Sequence, residues 1–196
     1  MKPQMLSEEV LAIEKVLSSY SNHLDVLEWG SGGSTVYFTN FLREKGISYT
    51  WTSVEYNKAW YERISDAVRE DSRTKIALFD VGNTEVKQRL VPMDEYVAYP
   101  GTLGKKYDVI LVDGRKRRRC LLEASKLLKP NGITLLHDAR RTYYHCAFQN
   151  YPDSKIVLWS GLWRGKLEDP GLTRRIANSV SYWCFRTYTF SFRFRI

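Results

Sequence analysis

Apolar residues recur along this 196-residue chain in two rhythms, short near-continuous runs and stretches spaced by three or four. Leu6, Val10, Leu11, Ile13, Val16, Leu17 and Tyr20 follow Ser7, a candidate cap, at helical spacing and predict a packing helix. A short apolar run, Asp25 to Glu28, predicts a first strand. Val36, Tyr37, Phe38, Phe41 and Leu42 predict a helix ended by Gly46. Tyr49 to Val54 predicts a second strand, Trp60 to Val68 an amphipathic helix, and Lys75 to Phe79 a third strand.

From Gly82 to Lys106, Pro92, Pro100, Gly101 and Gly104 break any period. A long loop with one short helix is expected, part of it covering a site. Tyr107 to Val112 is nearly all apolar, as in a parallel strand covered on both faces. A helix is predicted from Arg115 onward, with Cys120, Leu121, Ala124, Leu127 and Leu128 at its apolar positions. The turn Leu128-Lys-Pro-Asn-Gly132 then leads to a fifth strand, Ile133 to Leu136. Lys155 to Trp159 and Ser181 to Tyr188 read as late strands, with 161–178 between them as an insertion that could wall a substrate. The tail from Phe190 alternates like an exposed strand edge. Strands alternating with helices predict a doubly wound α/β fold. No repeat or second domain is visible, so residues 1–196 are expected to form one domain.

Composition adds little to that picture. Hydrophobic residues at 43% and charged residues at 27% are globular values. A net charge of +8 favours a polyanionic or phosphate-bearing partner without requiring one. Cys120, Cys146 and Cys184 are scattered and form no C-x-x-C pair, which suits a reducing, cytoplasmic compartment. No run approaches the ~20 apolar residues that span a bilayer.

The candidate chemistry gathers at strand ends. Glu28-Trp-Gly30-Ser31-Gly32-Gly33-Ser34-Thr35 is an acid, a glycine-rich turn and a helix start, where bare main chain and unpaired N–H groups can hold a ligand. A dinucleotide fingerprint would want glycine at Thr35 and tolerate an apolar residue at Glu28. Glu55 closes the second strand, where α/β nucleotide sites place a carboxylate for the ribose hydroxyls, and Tyr56 is positioned to lie along adenine. Asp80 and Val81 follow the third strand. Asp113 ends the fourth, and His137 and Asp138 end the fifth. The basic run 115–119 opposes a helix dipole, so Arg115 and Arg117 are either a solvated face or anchors for an anionic or hydroxyl-rich substrate.

Taken together in order and spacing, Glu28 with its glycines, Glu55, Asp80, Asp113 and Leu-Lys-Pro-Asn-Gly resemble the core of class I S-adenosylmethionine-dependent methyltransferases over residues 25–138. Val-Asp113-Gly-Arg115-x-Arg117-x-x-Cys120, Leu-His137-Asp138 and Arg141-x-x-Tyr144 resemble, more narrowly, small bacterial and viral methyltransferases associated with glycan assembly. The resemblance implies a Rossmann-like, mostly parallel seven-stranded sheet with helices on both faces and a C-terminal antiparallel β-hairpin. It also implies S-adenosylmethionine held by Glu28, Gly30, Ser31, Gly32, Ser34, Thr35, Glu55, Tyr56, Asp80, Val81 and Asp113. Arg115, Arg117 and Arg141 are then expected at the acceptor.

Methyl transfer to a hydroxyl requires removal of its proton. Asp113 and Asp138, on strands ~4.8 Å apart, could share Mg or Mn as in catechol-type O-methyltransferases, although Ala139 stands where that pattern has a third ligand. Without a metal, His137 or Asp138 is the expected base. The expected function is O-methyl transfer to a small-molecule or glycan acceptor, by this chain alone or as one domain of a larger glycan-modifying protein. The rivals are a nucleic-acid methyltransferase using the run 115–119 and a non-catalytic cofactor-binding interaction subunit. The Asp-Gly-Arg-Lys sequence after the fourth strand differs from the Asn/Asp-Pro-Pro-aromatic signature of base-amine methylation.

Overall fold

The order in which the strands pair decides where a site can form. In the computed structural model, which describes residues 1–82 and 90–193, a seven-stranded sheet runs β3-β2-β1-β4-β5-β7-β6. Its strands are β1 (Leu24–Trp29), β2 (Tyr49–Glu55), β3 (Thr74–Leu78), β4 (Tyr107–Val112), β5 (Leu128–Leu136), β6 (Asp153–Leu158) and β7 (Leu162–Lys166). The first five are parallel, and β7 is antiparallel to both β5 and β6. The chain leaves β1 in one direction to β2 and β3 and in the other to β4 and β5. A crevice therefore opens at the carboxyl ends of β1 and β4.

Alternation along the buried strands feeds two cores. Val26, Val109 and Leu111 face one side, with α1 (Ser7–Leu17) and α2 (Gly33–Glu44) over them. There they meet Ile13, Leu17, Phe38 and Leu42. Leu27, Trp29, Ile110 and Val112 face the other, under α4 (Asp94–Thr102) and α5 (Arg117–Leu127). α3 (Lys58–Val68) packs Ile64 and Val68 against Val36 of α2. With both faces covered, the middle of β1 and β4 has no solvent face to keep polar, hence the consecutive apolar residues Val26-Leu27 and Val109 to Val112. At the end of the sheet remote from the crevice, Lys129 bridges Asp25 (2.7 Å) and Asp108 (2.8 Å).

Several predicted boundaries shift, each for a local reason. Ser7 is the first residue of α1, not its cap, and the Leu6 N–H is satisfied by the Glu9 carboxylate at 3.0 Å. Lys116 adopts a left-handed conformation, φ 53°, so α5 begins at Arg117 and not at Arg115. The predicted turn 128–132 lies within β5 as an irregularity. Tyr107 pairs with Leu128 and Val109 with Ile133, while Asn131 takes φ 63°. The expected short helix in 82–106 is α4, and residues 83–89 lie outside the described residues.

The larger correction is at the C-terminus. Ser181 to Tyr188 is not a strand but part of α6 (Leu172–Arg193), which also takes in the predicted strand edge from Phe190 to Arg193. Aromatic content suggested β-structure, but Asn178, Tyr182 and Phe185 share one helical face and pack inward, and that period prevails. The antiparallel hairpin is instead β6 with β7, so the expected insertion supplies a strand and not a substrate wall.

Trp163 of β7 is buried and stacks on Phe148, ring centroids 4.3 Å apart. Arg164 pairs with Asp153 at 2.6 Å. Gly165 lies under this stack, and a β-carbon there would stand 2.2 Å from Trp163 and 2.6 Å from Tyr151. Gly165→Ala is expected to cost about 1–3 kcal/mol by overpacking, read as a lower denaturant midpoint with unchanged m-value.

Candidate functional site

The glycine turn after β1 is rigid because Glu28 braces it from below. Glu28 is fully buried and accepts hydrogen bonds from Ser34 Oγ (2.5 Å), Thr35 Oγ1 (2.6 Å), Ser53 Oγ (2.7 Å) and Trp51 Nε1 (3.0 Å). Thr35 Oγ1 in turn accepts the Gly32 N–H at 3.0 Å, which ties the turn to the carboxylate. Burial drives the Glu28 pKa up to about 7, outweighing the four donors. Sequence reasoning expected Glu28 and Thr35 against the cofactor, but both lie beneath the cavity and do not line it.

Gly30, φ 97°, lets β1 and β4 close on each other. A β-carbon on it would stand 2.5 Å from Gly114 Cα. Gly32 is extended, and a β-carbon on it would meet nothing within 4 Å, so bare main chain faces the open space.

That space is a cavity of about 670 Å³ at the carboxyl ends of β1, β2, β4 and β5. One half is formed by the glycine turn, Ser31, Ser34, Glu55, Tyr56 and Trp60. Glu55 is buried, accepts from Ser31 Oγ and from the N–H groups of Tyr56 and Asn57 at 2.9 Å each, and has its pKa raised by burial. Arg115 belongs to this half, its guanidinium 5.7 Å from the Tyr56 ring centroid, and so stands beside the predicted adenosine residues and not at the acceptor. Asp80 is exposed and accepts the Gly82 N–H at 2.9 Å as an ordinary turn aspartate. Neither it nor Val81 lines the cavity.

The other half holds Asp113, Arg117, His137 and Asp138. His137 Nδ1 lies 2.8 Å from Asp113 Oδ1, and its Nε2 lies 3.3 Å from Glu9 Oε2. Glu9 is 3% exposed, and its other oxygen accepts from Ser160 Oγ at 2.8 Å. Burial alone would lower the imidazole's pKa, but Asp113 and Glu9 outweigh both it and the Arg117 charge, and the net direction is up.

Arg117 spends its donors on the carbonyls of Gly114, Asp113 and His137 and on Asp113 Oδ1 at 3.0 Å. It is a brace between strand ends, not the substrate anchor expected. Asp138, φ 58°, receives Arg141 Nε at 2.9 Å and has Arg117 at 3.9 Å. Arg141 does not line the cavity. A divalent ion shared by Asp113 and Asp138 does not fit this donor set, because a guanidinium already pairs with Asp113 and reaches toward Asp138, and Ala139 adds no ligand. Among the described residues no cluster of three or more His, Cys, Asp or Glu is arranged for a metal.

Sequence reading missed the wall that encloses this half. Pro3, Gln4, Met5, Leu6 and Glu9 line it, and a β-carbon on Gly33 would stand 2.0 Å from the Lys2 carbonyl. A readable sign existed, since Glu9 falls at i, i+4, i+8 with Ile13 and Leu17, which puts a carboxylate on the buried face of α1. Described residues of the stretch 82–106, expected to cover the site, do not line the cavity.

The residues fit S-adenosylmethionine. An open glycine turn leads into a helix with no acid in its first turn, Glu55 is placed for a ribose, and the volume suits a small cofactor with an acceptor.

A family model described as a methyltransferase domain matches residues 27–139. No curated protein matches. Among solved structures, a methyltransferase-like protein from Silicibacter pomeroyi is 22% identical, with 92% of this chain and 96% of that one covered and a TM-score of 0.63. The CMeT domain of the citrinin polyketide synthase is 14% identical, with 81% and 51% covered and a TM-score of 0.56. The YcgJ protein of Bacillus subtilis is 13% identical, with 77% and 71% covered and a TM-score of 0.50. At these identities the likenesses speak for the fold, which agrees with the sheet order and the switch-point cavity. Together with the family match over more than half its length, they identify the chain as a member of the methyltransferase-domain family, an S-adenosylmethionine-dependent methyltransferase.

Proposed function

We propose that the protein transfers the methyl group to a hydroxyl oxygen of a sugar or glycan acceptor. The observation that carries this reading is His137, whose ring nitrogens both face carboxylates in the half of the cavity away from Glu55. An alcohol is barely acidic and needs a base as its oxygen attacks the methyl carbon. In this reading Asp113 orients the ring through Nδ1, and Nε2 takes the acceptor's proton once the hydroxyl displaces Glu9. S-adenosylmethionine supplies the methyl and leaves as a neutral sulfide. Gln4, Ser160 and Asp138 offer polar contacts beside the apolar Met5 and Leu6, a mixture suited to a sugar ring.

The basic run lends little to a nucleic-acid acceptor. Arg117 is spent on main-chain carbonyls, Arg118 lies over Tyr143 at 4.5 Å, and Arg119 pairs with Asp94 at 2.5 Å. Turnover to S-adenosylhomocysteine across sugars, amines and oligonucleotides tests the reading. Product from sugars alone is expected. Product from amines or oligonucleotides alone overturns it, and none from any acceptor favours the binding-subunit alternative.

Cofactor placement has its own check. Glu55→Gln is expected to weaken S-adenosylhomocysteine binding by calorimetry about tenfold or more, because the amide keeps one acceptor oxygen and loses the charge. His137→Asn is expected to leave that affinity unchanged.

A further inference from the structure

The outer face of α6 is unaccounted for by the site and by the core. Its inner face is anchored: Asn178 donates to Asp153 (2.9 Å), the Tyr182 hydroxyl meets His145 Nδ1 (2.9 Å), and Phe185 is fully buried against Trp159 and His145. On the opposite face Leu172, Ile176, Val180 and Trp183 are 75, 57, 56 and 66% exposed. Their spacing of i, i+4, i+8, i+11 draws one apolar stripe about 17 Å long down the helix. A solvated helix face would be polar there, and four large apolar side chains in line mark a contact surface.

Charge identifies the partner. Between Leu172 and Arg193 the helix carries Arg174, Arg175, Arg186 and Arg193 and no carboxylate, within a chain of net charge +8. By helical position Arg175 and Arg186 border the stripe. Asp169, just before the helix, pairs with Arg175 at 2.8 Å and is the acid beside that border. Two copies meeting stripe to stripe would bring like-charged rows together with no acid on either helix to answer them. An anionic lipid headgroup layer answers the arginines while its acyl boundary takes the stripe, and Trp183 is the residue type that favours that boundary. Among the described residues no helix is long and apolar enough to cross a membrane, so the geometry is that of a helix lying in the interface plane.

We propose that α6 docks the protein, through Leu172, Ile176, Val180 and Trp183, on the anionic surface of a phospholipid bilayer. Trp159, which packs on Phe185, adjoins Ser160 in the β6 to β7 turn, and Ser160 lines the cavity.

Co-sedimentation of the full chain with vesicles tests this, using phosphatidylcholine alone and phosphatidylcholine with one quarter phosphatidylglycerol. Pelleting with the anionic vesicles only is expected, weakened by salt. The variant I176S/V180S/W183S removes side chains that face away from the core and is expected to lose about tenfold or more of the partitioning with unchanged circular dichroism. As a second readout, brominated lipid is expected to quench tryptophan emission in the unmodified protein and much less in Trp183→Phe. No partition onto anionic vesicles overturns the proposal. So does equal partition of the triple variant, which would mean charge attraction alone. A dimer in light scattering that the triple variant dissolves would give the stripe to a second copy and overturn it as well.

Discussion

Replacing His137 with asparagine is expected to lower kcat by about 10²–10⁴-fold, the range for loss of a general base, with S-adenosylmethionine affinity intact. The expectation follows from where the ring sits and what it faces. Asp113 on β4 and Glu9 on α1 press carboxylates on its two nitrogens, while Arg117 on α5 opposes them from one side. With its pKa raised, the ring gains basic strength but holds its proton to higher pH than an ordinary histidine.

The sign for catalysis is therefore fixed. A base must be deprotonated to act, so kcat/KM should rise with pH through a value above the usual histidine range. Glu9→Gln removes one of the two attracting charges and should carry that rise to lower pH. Asp113→Asn should do the same and also lower kcat, because Nδ1 loses the acceptor that orients the ring. If Glu9 merely staples α1 to the β6 to β7 turn through Ser160, its substitution lowers Tm and leaves the pH profile in place. A profile that keeps its shape in His137→Asn moves the base to Asp138.

Much of this arrangement was legible from residue order. The acid, glycine turn and helix start at 28–35, the carboxylate at 55 and the polar strand ends at 113 and 137–138 all lie where the parallel sheet brings strand ends to one edge. Their neighbourhood follows from topology alone. What sequence order does not carry is which way each side chain finds its partners. Glu28 and Thr35 face downward because Trp51 and Ser53 of the adjacent strand offer donors there, and strand register, not the glycine pattern, sets that. Arg117 turns to the main chain because α5 starts two residues late at a left-handed Lys116. Glu9 stayed hidden because a glutamate in an amphipathic helix reads as solvated until its register with Ile13 and Leu17 is counted. The C-terminal helix was masked by aromatic residues that suit strands equally well, and only the inward spacing of Asn178, Tyr182 and Phe185 separates the two.

The brace under the glycine turn makes the fold itself sensitive to pH. Glu28 binds its proton with a pKa of about 7 in the folded protein against 4.5 as a free side chain, a difference worth about 3 kcal/mol. Because the folded pKa is the higher one, this stability is fully present below about pH 4.5 and is lost as pH rises through about 7. His137, also raised, acts in the same sense above the ordinary histidine range. His145, lowered by burial, loses its contribution as pH falls below that range. Asp25 and Asp71, held down by hydrogen bonds and by charges that outweigh their burial, lose theirs only in stronger acid.

Unfolding midpoints should accordingly be highest near pH 5–6 and fall toward pH 8. Glu28→Gln is expected to flatten that fall. The amide oxygen can keep the Trp51 N–H, its NH₂ can donate to hydroxyl oxygens of Ser34 and Thr35 once these rotate, and nothing remains to ionise. Glu28→Ala is expected to cost about 3–5 kcal/mol, since three hydroxyls lose their acceptor and Trp51 Nε1 keeps only Ser53 Oγ beside a new void. It should also weaken S-adenosylmethionine binding, because Thr35 then no longer fixes the Gly32 N–H. Thermal melts of the three proteins at pH 5.5, 7 and 8.5 decide the matter. Parallel curves for the unmodified protein and Glu28→Gln would mean that Glu28 stays ionised in the fold, with its four donors outweighing its burial.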